Sequence, residues 1–176
     1  MTAPPEVAER LKQLNETLDR GIALKRRIIE DLRPSSLSNL GLAAALEIQA
    51  REFAQRAELS VRTVLQPVAL GEDAQMTVYR LVQESLTNIA KYAHASDVTI
   101  SLSQEEGQVQ IGVLDNGVGF DPASIRQTAH GLLGMRYRIE AEGGRLQVDS
   151  APGQGCHVRG WLPAGLDGAG VTHTNL

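Results

Sequence analysis

Aromatic residues make up only 3% of this 176-residue sequence, too few for the stacking platforms on which proteins hold unpaired bases. Basic residues are not in excess either. The net charge is −4, so the electrostatic footprint of a general nucleic-acid binder is missing and no nucleic-acid partner is expected. There is one cysteine, Cys156, which excludes an internal disulfide and a cysteine-rich metal site. No apolar run approaches the roughly 20 residues needed to span a bilayer, and Met1 is not followed by a signal-peptide pattern. The expectation is a soluble, cytoplasmic chain, with any membrane anchor lying in a longer parent protein. What remains is a chain with 42% hydrophobic residues, enough for one compact domain with an appendage.

The pattern after the polar, Pro-rich start MTAPPE is helical over residues 7–32. Leu11, Leu14, Leu18, Ile22, Ile28 and Leu32 fall near heptad spacing, interrupted by Gly21 and Lys25, as in an amphipathic packing helix rather than an ideal coiled coil. Pro34 ends it by disfavouring helix in Arg33, and Ser35, Ser36 and Ser38 read as a linker. A second helix is predicted over 41–57, with Leu42, Leu46, Phe53 and Ala57 on its buried side. LSVRTVLQ alternates like a strand, and a third helix is predicted over 74–93. Val98, Ile100 and Leu102 alternate, Glu105-Glu106-Gly107 turns, and Val109, Ile111 and Val113 alternate back, which predicts a hairpin. A fourth helix is expected over 132–142, stopped by Gly143-Gly144. A last hairpin pairs RLQVDS with CHVRGWLP across Pro152-Gly153-Gln154-Gly155. From Ala164 onward the sequence is small and aperiodic, and is expected to be disordered. Helices mixed with antiparallel hairpins predict an α+β, two-layer sandwich, with helices on one face of a mixed, mostly antiparallel sheet and an added N-terminal helix.

Three segments draw chemical interest. In QESLTNIAKYAHAS, Glu84, Asn88 and Lys91 recur at i, i+4 and i+7 and so share one helix face. Val78, Val82, Leu86, Ile89 and Ala93 form the apolar stripe opposite. Glu84 and Asn88 offer oxygens of the kind Mg²⁺ takes, and Lys91 can meet phosphate charge; taken alone, the trio also reads as a solvated face. In DNGVGFD, Asp115 at a strand end can accept from an exocyclic amine, while Gly117 and Gly119 let a flat ligand approach the backbone. An ordinary glycine-rich turn is the plain alternative. HGLLGM opens a helix whose free N–H groups can hold phosphate oxygens, or simply caps it.

The order of these pieces resembles the ATP-binding superfamily of gyrase, heat-shock chaperone, histidine kinase and mismatch-repair ATPases, whose sandwich is the Bergerat-type ATP-binding fold. QESLTNIAKYAHAS is similar to its N box, DNGVGF to its G1 box and HGLLGM to a shortened G2 region. RIIEDLRPSSLSNLGLAAAL resembles the end of the dimerisation domain in sensor histidine kinases of the nitrate-sensor type, which partner LuxR-class response regulators. The resemblance runs over about residues 22–163. It implies ATP and Mg²⁺ as cofactors, with Glu84 as the catalytic-helix acid and Asn88 as the catalytic metal ligand. Lys91 and Tyr92 are implied at the phosphates or the ribose side, where His is the commoner residue at the Tyr92 position. Asp115 is implied at the adenine amine, with Gly117, Gly119 and Phe120 shaping the base pocket. His130, Gly131, Leu132, Gly134 and Met135 are implied in a lid over the phosphates. Cys156 stands where Thr is frequent, and a thiol bonds more weakly than a hydroxyl.

Such kinases carry a phosphoacceptor His on the first helix of a helical hairpin. The histidines here are His94, His130, His157 and His173, and none lies on the N-terminal helix, which matches the hairpin's second helix. The expectation is therefore a catalytic piece of a longer kinase. Residues 1–38 would supply part of the dimerisation and phosphotransfer domain with its linker, 39–163 the ATP-binding domain, and 164–176 a disordered tail. The acceptor would lie on another segment, autophosphorylation of the chain alone is not expected, and a homodimer remains open. An anti-sigma-type serine kinase is the alternative within the superfamily, though those usually lack an LRPSSL-like segment. A degenerate nucleotide-gated interaction module is the alternative outside catalysis.

Overall fold

The computed structural model describes residues 34–121 and 130–165, together with Leu14, Thr17, Leu18, Gly21, Ile22 and Lys25, which are helical. The rest of the helix expected over 7–32 lies outside the described residues. The chain divides into two compact units, Met1–Asn39 and Leu40–Leu176. In the first, Leu14, Leu18 and Ile22 of the expected seam are each at least half exposed, at 54%, 54% and 50%.

The serines read as a linker are helical instead: α1 spans Ser35–Leu40. Proline is poorly tolerated within a helix but well suited to its start, and the Pro34 carbonyl accepts from Ser38 N–H at 3.2 Å. Gly41, at φ +80°, then breaks the helix in a conformation that side chains rarely adopt. The expected second helix follows as α2, Leu42–Ala57. Leu42, Leu46 and Phe53 are buried as predicted. Ala57 is only half-buried, because it sits in the last turn, beside the left-handed Glu58 that ends the helix.

Among the described residues the sheet has five strands: β1 Ser60–Leu65, β2 Asp97–Glu105, β3 Gln108–Asp115, β4 Arg145–Ser150 and β5 Cys156–Pro163, in the order β1-β2-β3-β5-β4. All pairs are antiparallel except β1 with β2. A parallel pair needs a crossover, and α3, Glu72–Asn88, with its extension, provides it. This βαβ unit lays α3 along the sheet. The last helix among the described residues, α4, spans His130–Ala141.

Register decides what the helices cover. Ile100 pairs with Val113, Val113 with Val158, and Val109 with Leu162, so these buried side chains share one face of the sheet. Leu46, Leu81 and Ile139 bring α2, α3 and α4 to the core and are at most 1% exposed; burying each is worth roughly 1.5–3 kcal/mol. Gly160 sits where β5 meets this layer. A Cβ there would lie 3.0–3.2 Å from side-chain atoms of Ile111, Leu81 and Ile139. The other face is polar: Trp161 lies under the Arg145 guanidinium at 4.1 Å and near that of Arg159 at 5.5 Å. The architecture is thus the expected two-layer α+β sandwich. Ala164 and Gly165, expected in the tail, are held by backbone bonds to Gly107 and Ala69, both at 2.8 Å; residues 166–176 lie outside the described residues.

Candidate functional site

A cleft of about 570 Å³ opens between the end of α3, the C-terminal end of β3 and the start of α4. Among its lining residues are Glu84, Asn88, Lys91, Tyr92, Asp115, Gly119, Phe120, Gly131, Leu132 and Cys156. Residues far apart in the sequence thus meet because α3 lies along a sheet in which β3 ends and β5 begins beside it.

The helical wall departs from α geometry. After Asn88 the chain continues as a π-helical turn over Ile89–Ala93, and His94, at φ +48°, ends it. Such turns insert into α-helices mostly at functional sites. Here the Ala93 carbonyl accepts from Val118 N–H at 2.7 Å, which ties the helix end to the glycine-rich loop. Gly117 lies directly beneath, where any Cβ would overlap that carbonyl. Glu84 and Asn88 are half-buried, whereas Lys91 and Tyr92 are exposed at the mouth. Among the described residues, no hydrogen bond engages the Glu84 carboxylate or the Asn88 amide. Both are oxygen donors one turn apart on the same cleft, and no cluster of three or more His, Cys, Asp or Glu occurs among the described residues. This donor set fits a Mg²⁺ ion that takes its remaining oxygens from a bound phosphate and water, the usual manner for that ion.

The opposite wall is built from main chain. Asp115 is buried, at 6% exposure, and accepts from Gly117 N–H at 2.9 Å. Burial raises its pKa above the ordinary carboxylate value, and the N–H groups of Gly117 and Cys156 oppose that rise. Asn116 anchors the loop from below. Its Oδ1 accepts from Ser96 N–H and Asp97 N–H at 2.9 and 3.0 Å, and its amide donates to Ser96 Oγ at 2.9 Å. Cys156 lines the same end; burial first, then the Asp115 charge, pushes its thiol up to about 11. It is therefore a neutral, weakly bonding group rather than a nucleophile at neutral pH.

Three expected site residues stand behind the lining. Gly117 supports it as described. Gly134 faces Arg138, whose guanidinium would lie 3.3 Å from an added Cβ. Met135 is core, at 1% exposure, with its sulfur accepting from Ser85 Oγ at 3.8 Å. The His130 side chain is outside the described residues. Gly131 packs against Glu84 so closely that a Cβ would overlap the carboxylate. The sequence reading set Ile89 and Ala93 on the stripe opposite the polar trio, yet both line the cleft, because the π turn brings that stripe round to its wall. It missed Ser85, Val113, Val118 and Val158, which also line the cleft. Val113 was visible as an inward strand position and Ser85 as the neighbour of Glu84, but neither carries a chemical signal of its own.

A family model described as Histidine kinase-, DNA gyrase B-, and HSP90-like ATPase matches residues 73–166, and the chain belongs to that family. Among curated proteins, it is similar to the sensor histidine kinase ComP of Bacillus subtilis, at 34% identity over 85% of this chain and 20% of that protein. It is also similar to the signal transduction histidine-protein kinase/phosphatase UhpB of Salmonella typhimurium, at 36% identity over 80% of this chain and 29% of that protein. The chain thus spans less than a third of either relative. Among solved structures, the histidine kinase domain of the Erythrobacter litoralis EL346 blue-light activated histidine kinase shares the fold. The TM-score is 0.62 at 22% identity, over 70% of this chain and 61% of that one.

Proposed function

We propose that this chain is the ATP-binding catalytic module of a two-component sensor histidine kinase, which transfers the γ-phosphoryl group of ATP to a His on another segment of its parent protein. The observation that carries the reading is one cleft lined by Asp115, Glu84, Asn88 and Lys91. Each offers a different function along the length of a nucleotide. The buried Asp115 carboxylate accepts from the adenine amine. Asn88 would hold Mg²⁺, which would supply charge neutralisation at the phosphates. Lys91 at the mouth meets the terminal phosphates, and Tyr92 flanks the ribose side. Phosphoryl transfer demands positioning and charge neutralisation above strong base catalysis. Glu84, one turn before Asn88 and against Gly131, orients the attacking imidazole or its water as the start of α4 covers the phosphates.

The domain plan follows from the same reading. Residues 1–38 carry part of the dimerisation segment, and the exposed Leu14, Leu18 and Ile22 offer a seam for a second helix. Residues 39–163 bind the nucleotide. The likeness to ComP and UhpB supports a response regulator of the LuxR class as partner. Among the described residues, no helix is long and apolar enough to cross a membrane, in keeping with a domain that works in the cytoplasm.

The test supplies labelled ATP and Mg²⁺ to the chain, with and without a separately produced phosphoacceptor domain of a related kinase. Acid-labile phosphohistidine is expected on the acceptor and not on the chain alone. Stable labelling of the chain by itself would refute an external acceptor. ATP binding without transfer to any acceptor would favour a nucleotide-gated interaction module.

A further inference from the structure

Ser150, the last residue of β4, belongs to none of the sequence motifs, yet it is where the two glycine-rich segments of the cleft are joined. Phe120 N–H donates to Ser150 Oγ at 2.9 Å, and the Ser150 hydroxyl donates to the Gly155 carbonyl at 2.7 Å. A serine hydroxyl has one proton to give and lone pairs to receive, so this one group serves both segments at once. Alongside it, Gly153 N–H donates to the Val118 carbonyl at 2.6 Å. Gly119 and Gly155 permit the close approach, since a Cβ on either would overlap the carbonyl of Ala151 or of Asp115. Among the described residues, Ser150 is the one side chain whose hydrogen bonds bridge 115–120 and 151–155. The junction matters because the Asp115 carboxylate accepts from Gly117 N–H in the first segment, while Asp115 itself pairs across the β3–β5 ladder with Cys156, which follows the second.

We propose that Ser150 is a positioning residue that fixes the orientation of the Asp115 carboxylate, and so sets the preference for a purine with a 6-amino group over one with a 6-oxo group. A fixed carboxylate accepts from an amine and repels a carbonyl oxygen at the same place. Without the hydroxyl, the Phe120 N–H and the Gly155 carbonyl lose their partner in a part-buried site, which favours separation of the segments. The carboxylate then gains freedom to turn from the base, and discrimination falls.

This inference rests on the ATP-binding reading. The experiment measures displacement of a fluorescent ATP analogue by ATP and by inosine triphosphate, which carries the 6-oxo group, in wild type, Ser150→Ala and Ser150→Thr. Wild type is expected to prefer ATP. Ser150→Ala should weaken ATP by about tenfold, as expected for unpairing part-buried polar groups, with inosine triphosphate changed little, so that the preference collapses. Ser150→Thr should restore it. Where Ser150→Ala fails to fold, Ser150→Cys takes its place in reducing buffer, which keeps the new thiol from oxidising with Cys156 across the ladder; a thiol bonds more weakly than a hydroxyl. A wild type that prefers ATP beside a variant with the same preference overturns the positioning role alone. So does a variant that loses both nucleotides equally, the mark of a merely structural residue. A wild type that binds neither nucleotide overturns the ATP reading and this inference with it.

Discussion

The two walls of the cleft are made by different means. On one side the 115–119 segment is locked by hydrogen bonds: Val118 bonds to the Ala93 carbonyl and to Gly153 N–H, and Gly117 N–H bonds to the Asp115 carboxylate. On the other, Glu84, Asn88 and Lys91 project from a helix with no bonds among themselves. The first wall is complete before anything binds, and it recognises by shape. The second presents free oxygens and a cation, whose order is completed by metal and phosphate. A cleft of this kind can hold its base end rigid while the phosphate end changes through a reaction cycle.

That contrast can be broken from the rigid side first. Gly119→Ala places a Cβ against the Ala151 carbonyl at a positive φ. It should cost on the order of 3 kcal/mol of stability and abolish nucleotide binding, seen as a lower melting temperature that ATP no longer raises. Asn88→Ala attacks the open wall and should leave folding intact. Mg²⁺-dependent transfer to a supplied acceptor should fall by about a hundredfold, as for a misplaced reactive group, while ATP affinity measured in a chelator changes little. Equal loss with and without Mg²⁺ would remove Asn88 from the metal.

Acid pH tests the rigid wall more gently. Because burial raises the Asp115 pKa above 3.8, its carboxylate takes up a proton at higher pH than an ordinary Asp as the solution is acidified. ATP affinity should decline over that range, and a titration of Asp115→Asn should lack this step. The smallest effect is expected from Lys91→Ala. An exposed cation contributes about 0.2–1 kcal/mol to a charge pair, so ATP affinity should weaken by less than about sixfold, and less still in high salt. A loss as deep as that of Gly119→Ala would show that the open wall is as demanding as the locked one.

Much of this was legible in the residues. Alternation at Val98, Ile100, Leu102, Val109, Ile111 and Val113 announces one buried sheet face, since a strand's side chains alternate with period two. The helical spacing of Val78, Val82 and Leu86 announces the buried stripe of α3, and hence that Glu84, Asn88 and Lys91 face away from it. Other features left no trace. Ser150 looks like any polar residue before a turn, because its two partners lie at Phe120 and Gly155 and only the fold brings them near. The parallel pairing of β1 was equally hidden, since alternation in LSVRTVLQ says nothing of strand direction.

By itself, then, the sequence determined which residues face the core and which chemical groups stand free, because period and residue type are local properties. The tertiary structure alone decided how those groups meet. The π turn at Ile89–Ala93, with Ala93 bonded to Val118, ties a helix to a loop more than twenty residues further on, and the Ser150 bridge closes the base wall. Both depend on hydrogen bonds between segments distant in the chain, whose partners exist as neighbours only after the sheet has formed.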